Sequence, residues 1–260
     1  MPGQDHRGDH AAMAGPAPRS EQLVPDLWGL ALSAAVRGEV TDLAMELLMP
    51  DGEVAHVPHS MLPFVPGPLS AAEESALRGI RGPVLDIGCG AGRHTAYLRA
   101  RGLDCVGVDH SPDCIALGRS LGIDDLVLCD IAHYTPPKPL GAALIMGGSL
   151  GIGGSYGATR DLVSRVSSFM RDDATWVVSS LFDPNSPDAL SSDRWEVHVD
   201  RFRFRWDDRV GPWVDFAVLS PVAAARLLEE LGWVASRPIS GLPLPLYYIL
   251  ARRVGSRSNA

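Results

Sequence analysis

Ten residues, Val84-Leu85-Asp86-Ile87-Gly88-Cys89-Gly90-Ala91-Gly92-Arg93, constrain this chain more than any other stretch. A short apolar run ends next to an acid, glycines follow at every second position, and a helix-forming segment begins at once. The pattern reads as a strand, a tight turn and a helix N-terminus. Open α/β sheets hold nucleotide-like ligands at such a place. A dinucleotide fingerprint needs a third small residue three positions after the second glycine, for close helix–strand packing. Here that position is Arg93, which is too bulky. Asp86 faces the same turn, where a carboxylate loses Coulomb energy beside a pyrophosphate and gains it beside a cationic amine. The turn therefore suits a ligand that carries an amine and no phosphate.

The segments around the turn alternate between strand and helix. Ser70-Ala71-Ala72-Glu73 is a capping box for a helix reaching about Leu77. Strands are expected at Val84–Ile87, Cys105–Val108, Leu126–Cys129, Ala142–Met146 and Trp176–Leu181. Helices are expected at about Arg93–Arg101 with Gly102 as its C′ residue, after Ser111-Pro112 up to Gly122, and from the glycine loop to about Met170. Ser220-Pro221 opens the last helix, closed by Gly232, and two strands fit Val234–Ile239 and Leu246–Ala251. This alternation predicts a three-layer Rossmann-like fold, a mostly parallel seven-stranded sheet with helices on both faces. No internal repeat is visible.

Two stretches fall outside it. Leu23–Arg37 has helical periodicity, and Ala44–Val57 reads as a hairpin about Pro50-Asp51-Gly52. Such an extension suits a cover over a cleft and suits plain packing equally. Between Asp183 and Val218, Trp195, Val197 and Val199 alternate in one phase, and Phe202, Phe204 and Trp206 in the other. The change predicts a bulge or turn near Asp200-Arg201 in an antiparallel insertion after strand five. Its aromatics, with Trp213, suit an apolar acceptor pocket. The basic-aromatic run Arg201–Trp206 also has the composition of a base-stacking surface. The expected division is a disordered leader at 1–20, a helix-and-hairpin cap at 21–69, a catalytic domain at 70–253 with a lid at about 184–217, and a disordered tail at 254–260. Met13 is an alternative start.

Charge and cysteine usage narrow the class. With 260 residues, 46% of them hydrophobic, and a mean hydropathy of +0.06, the chain can bury one sizeable core. A net charge of −8 and a pI near 5.4 argue against nucleic-acid and anionic-membrane partners. Cys89, Cys105, Cys114 and Cys129 form no C-x-x-C pair and read as reduced core thiols, so a cytoplasmic location is expected. No stretch approaches the roughly 20 apolar residues of a membrane helix, and the leader lacks the apolar region of a signal peptide.

On these residues the chain resembles the class I S-adenosylmethionine-dependent methyltransferases, over about Ser70 to Leu250. The resemblance implies that Asp86, Gly88, Cys89, Gly90 and Gly92 hold the methionine part of S-adenosylmethionine. It implies that Asp109, which is 23 residues after Asp86, takes the ribose hydroxyls with His110 beside the adenosine. Asp130 would meet the adenine amine with Ile131 beside the ring, and Met146 and Gly147 would line the sulfonium region. A carboxylate can accept two ribose hydroxyl bonds or one from an exocyclic amine. Related enzymes often carry an acid or asparagine after strand four, where Gly147-Gly148-Ser149 offers only a serine. The whole Gly147–Gly154 loop resembles one in small-molecule methyltransferases of actinobacterial type, which suggests secondary metabolism. The Asn-Pro-Pro-Tyr motif of nucleic-acid and glutamine N-methyltransferases is absent.

The resemblance implies methyl transfer to O, N, S or C of a small-molecule acceptor by in-line displacement. A general base would help a hydroxyl acceptor. His59 or His198 with Tyr156 is the constellation expected there, ahead of His56, His94, His110 and His133. No metal-ligand spacing appears, so no metal is expected. The same fold and cofactor could serve a non-methylating reaction such as cyclisation, or a non-catalytic partner subunit. Neither the acceptor nor the oligomeric state can be read from the residues.

Overall fold

The computed structural model describes residues 21–40, 45–57, 67–181, 197–241 and 246–253. It opens with a short strand β1 (Gln22–Leu23) and helix α1 (Leu27–Val36), followed by the hairpin β2 (Met45–Leu48) and β3 (Val54–Val57). Helix α1 starts four residues later than its apolar spacing suggests. Asp26 caps it by accepting from the Gly29 N–H, while Leu23 is left exposed in β1. Helix α2 (Ala71–Ala76) has the expected capping box, with Ser70 and Glu73 bonding each other's backbone N–H.

Then come β4 (Val84–Ile87), α3 (Arg93–Ala100), β5 (Cys105–Asp109), α4 (Pro112–Ser120), β6 (Leu126–Leu128), β7 (Leu140–Ile145), α5 (Tyr156–Ser167) and β8 (Met170–Leu181). Helix α5 stops at Ser167, and Met170 belongs to the strand that follows. The insertion supplies β9 (Val197–Trp206), β10 (Arg209–Val210) and β11 (Val214–Leu219). Helix α6 (Pro221–Glu230), β12 (Trp233–Ala235), β13 (Ile239–Gly241) and β14 (Leu246–Arg253) complete the chain. The single strand expected at Val234–Ile239 is two strands, separated at Ser236-Arg237-Pro238, where proline cannot donate to a ladder.

The larger sheet runs β12-β14-β8-β7-β4-β5-β6, with β13 paired to β14. Its central pairs, β8–β7, β7–β4, β4–β5 and β5–β6, are parallel, and β14 joins antiparallel. Leu85, Ile87, Ala143, Ile145, Trp176 and Val178 meet the α5 and α6 core on one face. On the other, Val84, Ala142, Leu144 and Val177 meet Ala76 of α2 and Leu98 of α3. Burial on both faces explains why these strands read as continuous apolar runs. The Ser167 hydroxyl accepts from both buried indoles, Trp176 (3.0 Å) and Trp233 (3.1 Å), so neither N–H is left unpaired.

The second sheet joins the remote segments, in the order β1-β10-β9-β2-β3 with β11 on β9. The bulge or turn expected near Asp200-Arg201 is absent, because β9 runs unbroken through both residues. Its first half pairs with β11 and its second with β2 and β10. The two halves are covered on opposite faces. Val197 packs on the main core, whereas Phe204 and Trp206 pack on the α1 cluster. One straight strand therefore shows two apolar phases.

Candidate cofactor site

The turn after β4 is held from below. Gly88 N–H and Cys89 N–H both donate to the Val108 carbonyl of β5, and Gly92 N–H donates to the Cys89 carbonyl. Gly92 is required by packing, since a Cβ there would lie 2.9 Å from Leu126 Cδ2. Gly90 has a different reason. Its φ of +54° is left-handed, and nothing lies within 4 Å of where a Cβ would stand. A ligand can therefore approach its backbone.

The carboxylates fall at the ends of adjacent strands. Asp86 is fully buried and accepts from the Thr95 hydroxyl at 2.8 Å. Burial raises its pKa against the opposing pull of His94 and of Thr95. Asp109 accepts from Gly90 N–H (2.7 Å, Oδ2) and Ser111 N–H (2.8 Å, Oδ1), leaving each oxygen a lone pair for a hydroxyl. Asp130 is exposed, with Oδ1 accepting from Ala132 N–H at 2.8 Å. Ile131 is half-buried behind it, and His110 is exposed beside Asp109. Cys89 is buried, with its thiol pushed up by burial, so it serves as packing. Met146 is buried at the end of β7. Beyond it, Gly147 turns the chain into the loop whose Ser149 and Ile152 stand within 4.0 Å of a Cβ position on Gly88. Asp86, Gly88 and Gly90 lie on β4 and its turn, Asp109 ends β5 and Asp130 follows β6, so these groups gather at one end of three adjacent parallel strands, and the donor set fits S-adenosylmethionine. Carboxylates match its ammonium, ribose hydroxyls and adenine amine, and nothing in the set is shaped for phosphate.

An aromatic row links α1 to the inserted strands. Trp28 of α1 meets Phe204 at 5.3 Å between centroids, Phe204 meets Phe202 at 5.4 Å, and Phe202 meets Phe216 at 6.3 Å. Trp28 packs on the cluster holding Ala91 of the turn. At the other end, Ala217 N–H bonds the Gly151 carbonyl of the loop facing Gly88. Trp206 is buried under α1, and Trp213 lies beneath the Arg203 guanidinium, so neither joins the row. The arginines of β9 occupy its opposite face and pair with acids: Arg201 with Asp215, Arg203 with Glu21 and Arg205 with Glu46.

His59 lies outside the described residues. His198 stands in β9 opposite Val218, and its side chain is also outside them. The Tyr156 hydroxyl is buried, with its pKa raised first by burial and then by Glu230 of α6, so it belongs to helix packing. His94 is buried against Glu73 at 3.1 Å, and His133 is exposed in the turn after Asp130. No cluster of metal-ligating side chains occurs among the described residues. Sequence reasoning missed Thr95, Phe216 and Trp28. It also missed Asp26, whose signal was an acid just after Pro25 and before an apolar run.

Comparison with known proteins agrees with this geometry. Residues 84–145 match the family model of a methyltransferase domain. No curated protein matches the chain. Among solved structures, the chain is similar to a Bacteroides fragilis SAM-dependent methyltransferase in complex with S-adenosyl-L-homocysteine. The identity is 18% and the TM-score 0.70, over 90% of this chain and 98% of that one. It is also similar to the glycopeptide N-methyltransferase MtfA complexed with S-adenosyl-L-homocysteine, at 18% identity and TM-score 0.53, over 70% and 85%. A sugar N-methyltransferase from a Streptoalloteichus species matches at 16% identity and TM-score 0.50, over 69% and 83%. The chain therefore has the fold of these S-adenosylmethionine-dependent enzymes, and residues 84–145, which include the glycine turn, are similar to a methyltransferase domain.

Proposed function

We propose that the protein methylates a small-molecule acceptor held between the glycine turn and the aromatic row. The observation that carries this reading is the set of Asp86, Asp109 and Asp130 at the ends of three adjacent strands, with the row Trp28, Phe204, Phe202 and Phe216 joined to the glycine turn at one end and to the loop facing it at the other. When bound, S-adenosylmethionine supplies an activated methyl: the acceptor's lone pair forms the new bond as carbon–sulfur breaks, and the electron pair leaves with sulfur. The work left to the protein is orientation and exclusion of water. Asp86 offers its carboxylate to the ammonium end, Asp109 to the ribose and Asp130 to the adenine amine, while the aromatic row presents an apolar face to the acceptor. His59 and His198 are the residues proposed for a proton that a hydroxyl acceptor must lose. The buried Tyr156 hydroxyl is not proposed for it.

The arginine–acid pairs on the far face of β9 support a small acceptor over a nucleic acid, as does the net charge of −8. Similar folds named for sugar and glycopeptide N-methylation support an amine of secondary metabolism, handled in the cytoplasm. No described helix is long and apolar enough to cross a membrane. The test is release of S-adenosylhomocysteine from S-adenosylmethionine across a panel of amino sugars, aromatic amines and phenols. Turnover that depends on one acceptor class supports the reading. Binding of S-adenosylmethionine without release on any member contradicts it.

A further inference from the structure

The cofactor carboxylate Asp109 is not held by its own strand alone. Its Oδ1 accepts from Ser111 N–H at 2.8 Å, and the Ser111 hydroxyl donates to Asp26 Oδ2 at 2.6 Å. The same Asp26 oxygen accepts from Asp113 N–H at 3.0 Å, while its other oxygen caps α1 through Gly29 N–H at 3.1 Å. One carboxylate thus ends one helix and grips the first turn of another, 85 residues away at Ser111. The approach is close by construction. A Cβ on Gly29 would lie 2.7 Å from Asp113 Cβ and 2.8 Å from the Ser111 hydroxyl. Helix α1 also carries Trp28, the first ring of the aromatic row.

We propose that Asp26 is a positioning residue, which sets Asp109 for the ribose hydroxyls through Ser111. The proposal rests on the reading of Asp109 as the ribose ligand. Without the Asp26 tie, Ser111 and the turn it opens are free to shift, and Asp109 loses the fixed direction of its remaining lone pairs. The effect is confined to ligands that have those hydroxyls.

Asp26→Asn separates this role from helix capping. Asparagine keeps a carbonyl oxygen for Gly29 N–H, but its amide NH2 cannot accept from the Ser111 hydroxyl or Asp113 N–H. Calorimetric titration of the full chain with S-adenosylhomocysteine, and with its 2′,3′-dideoxy analogue, reads the consequence. The expected result is a dissociation constant about tenfold weaker for S-adenosylhomocysteine and unchanged for the dideoxy analogue, as for the loss of one hydrogen bond to a charged group. Gly29→Ala, which forces the two helices apart, is expected to give the same selective loss. Equal weakening for both ligands, or no weakening of S-adenosylhomocysteine, overturns the proposal. Failure of the unmodified protein to bind S-adenosylhomocysteine overturns the cofactor reading instead, and is seen before any variant is made.

Discussion

Burial favours the protonated form of Asp86 in the free protein, against the Thr95 hydroxyl, which donates to it at 2.8 Å and favours the charge. A cationic amine beside it favours the ionised form, so ligand binding and loss of that proton are linked. Affinity for S-adenosylhomocysteine is therefore expected to strengthen as pH rises through the raised pKa. It should weaken, by up to about tenfold per pH unit, below it. The fall begins at a higher pH than for an ordinary aspartate. The sign for stability is the reverse. A carboxyl whose folded pKa is raised helps folding only below its unfolded value, and that help is lost as pH rises. Asp86→Asn is expected to bind weakly with a flat pH profile while melting no lower than the parent. Titration calorimetry and thermal melts at several pH values check both. The glycine motif marked Asp86 and the resemblance marked Asp109, and the structure places both where β4 and β5 end, but Thr95 carried no signal, since a threonine in the first turn of a helix has no distinctive pattern.

Helices α2 and α3 are joined by a buried cluster that local sequence could show only in part. The capping box announced Glu73 as a helix-capping side chain, and it does bond Ser70 N–H. The same carboxylate takes both Arg93 terminal nitrogens and stands 3.1 Å from His94 Nε2, contacts made across 20 and 21 residues. Burial would raise Glu73, but hydrogen bonds from His94, Arg93 and Ser70 N–H outweigh it and hold the group well below the carboxylate range. Arg93, too large for a dinucleotide turn, thus reaches to α2 and locks the start of α3. Glu73→Gln is expected to cost about 3 kcal/mol in denaturant unfolding, since it leaves a buried guanidinium without its counter-charge. A group with a lowered folded pKa contributes stability above its unfolded pKa and loses it as pH falls through the folded one. The gap between parent and variant should accordingly narrow progressively as pH falls below about 4. The same limit of local reading explains β9. Its two apolar phases looked like a bulge, because which face each half buries depends on tertiary partners, in the second half 159 residues away at the Glu46–Arg205 pairing.

The larger sheet carries the glycine turn, and the smaller, assembled from β1, β2, β3 and the insertion, carries Phe202, Phe204 and Phe216 of the aromatic row. The parallel order of the larger sheet was legible because each strand and its helix are neighbours in the chain, with caps and glycines marking the ends. The smaller sheet was not, since its strands come from opposite ends of the chain and only their pairing identifies them as one body. The division of labour is testable. Phe202→Ala is expected to raise the acceptor KM roughly tenfold or more, from the apolar area removed. It should leave S-adenosylhomocysteine affinity unchanged, measured by steady-state kinetics beside calorimetry. The most direct test of the whole account is a crystal structure of the full chain with S-adenosylhomocysteine. The account predicts the ribose hydroxyls on Asp109, the adenine amine at Asp130, the amino-acid end over Gly88–Gly90 near Asp86, and the sulfur facing Phe202 and Phe204. A ligand seated anywhere else, or turned so that its sulfur faces away from the aromatic row, would contradict it.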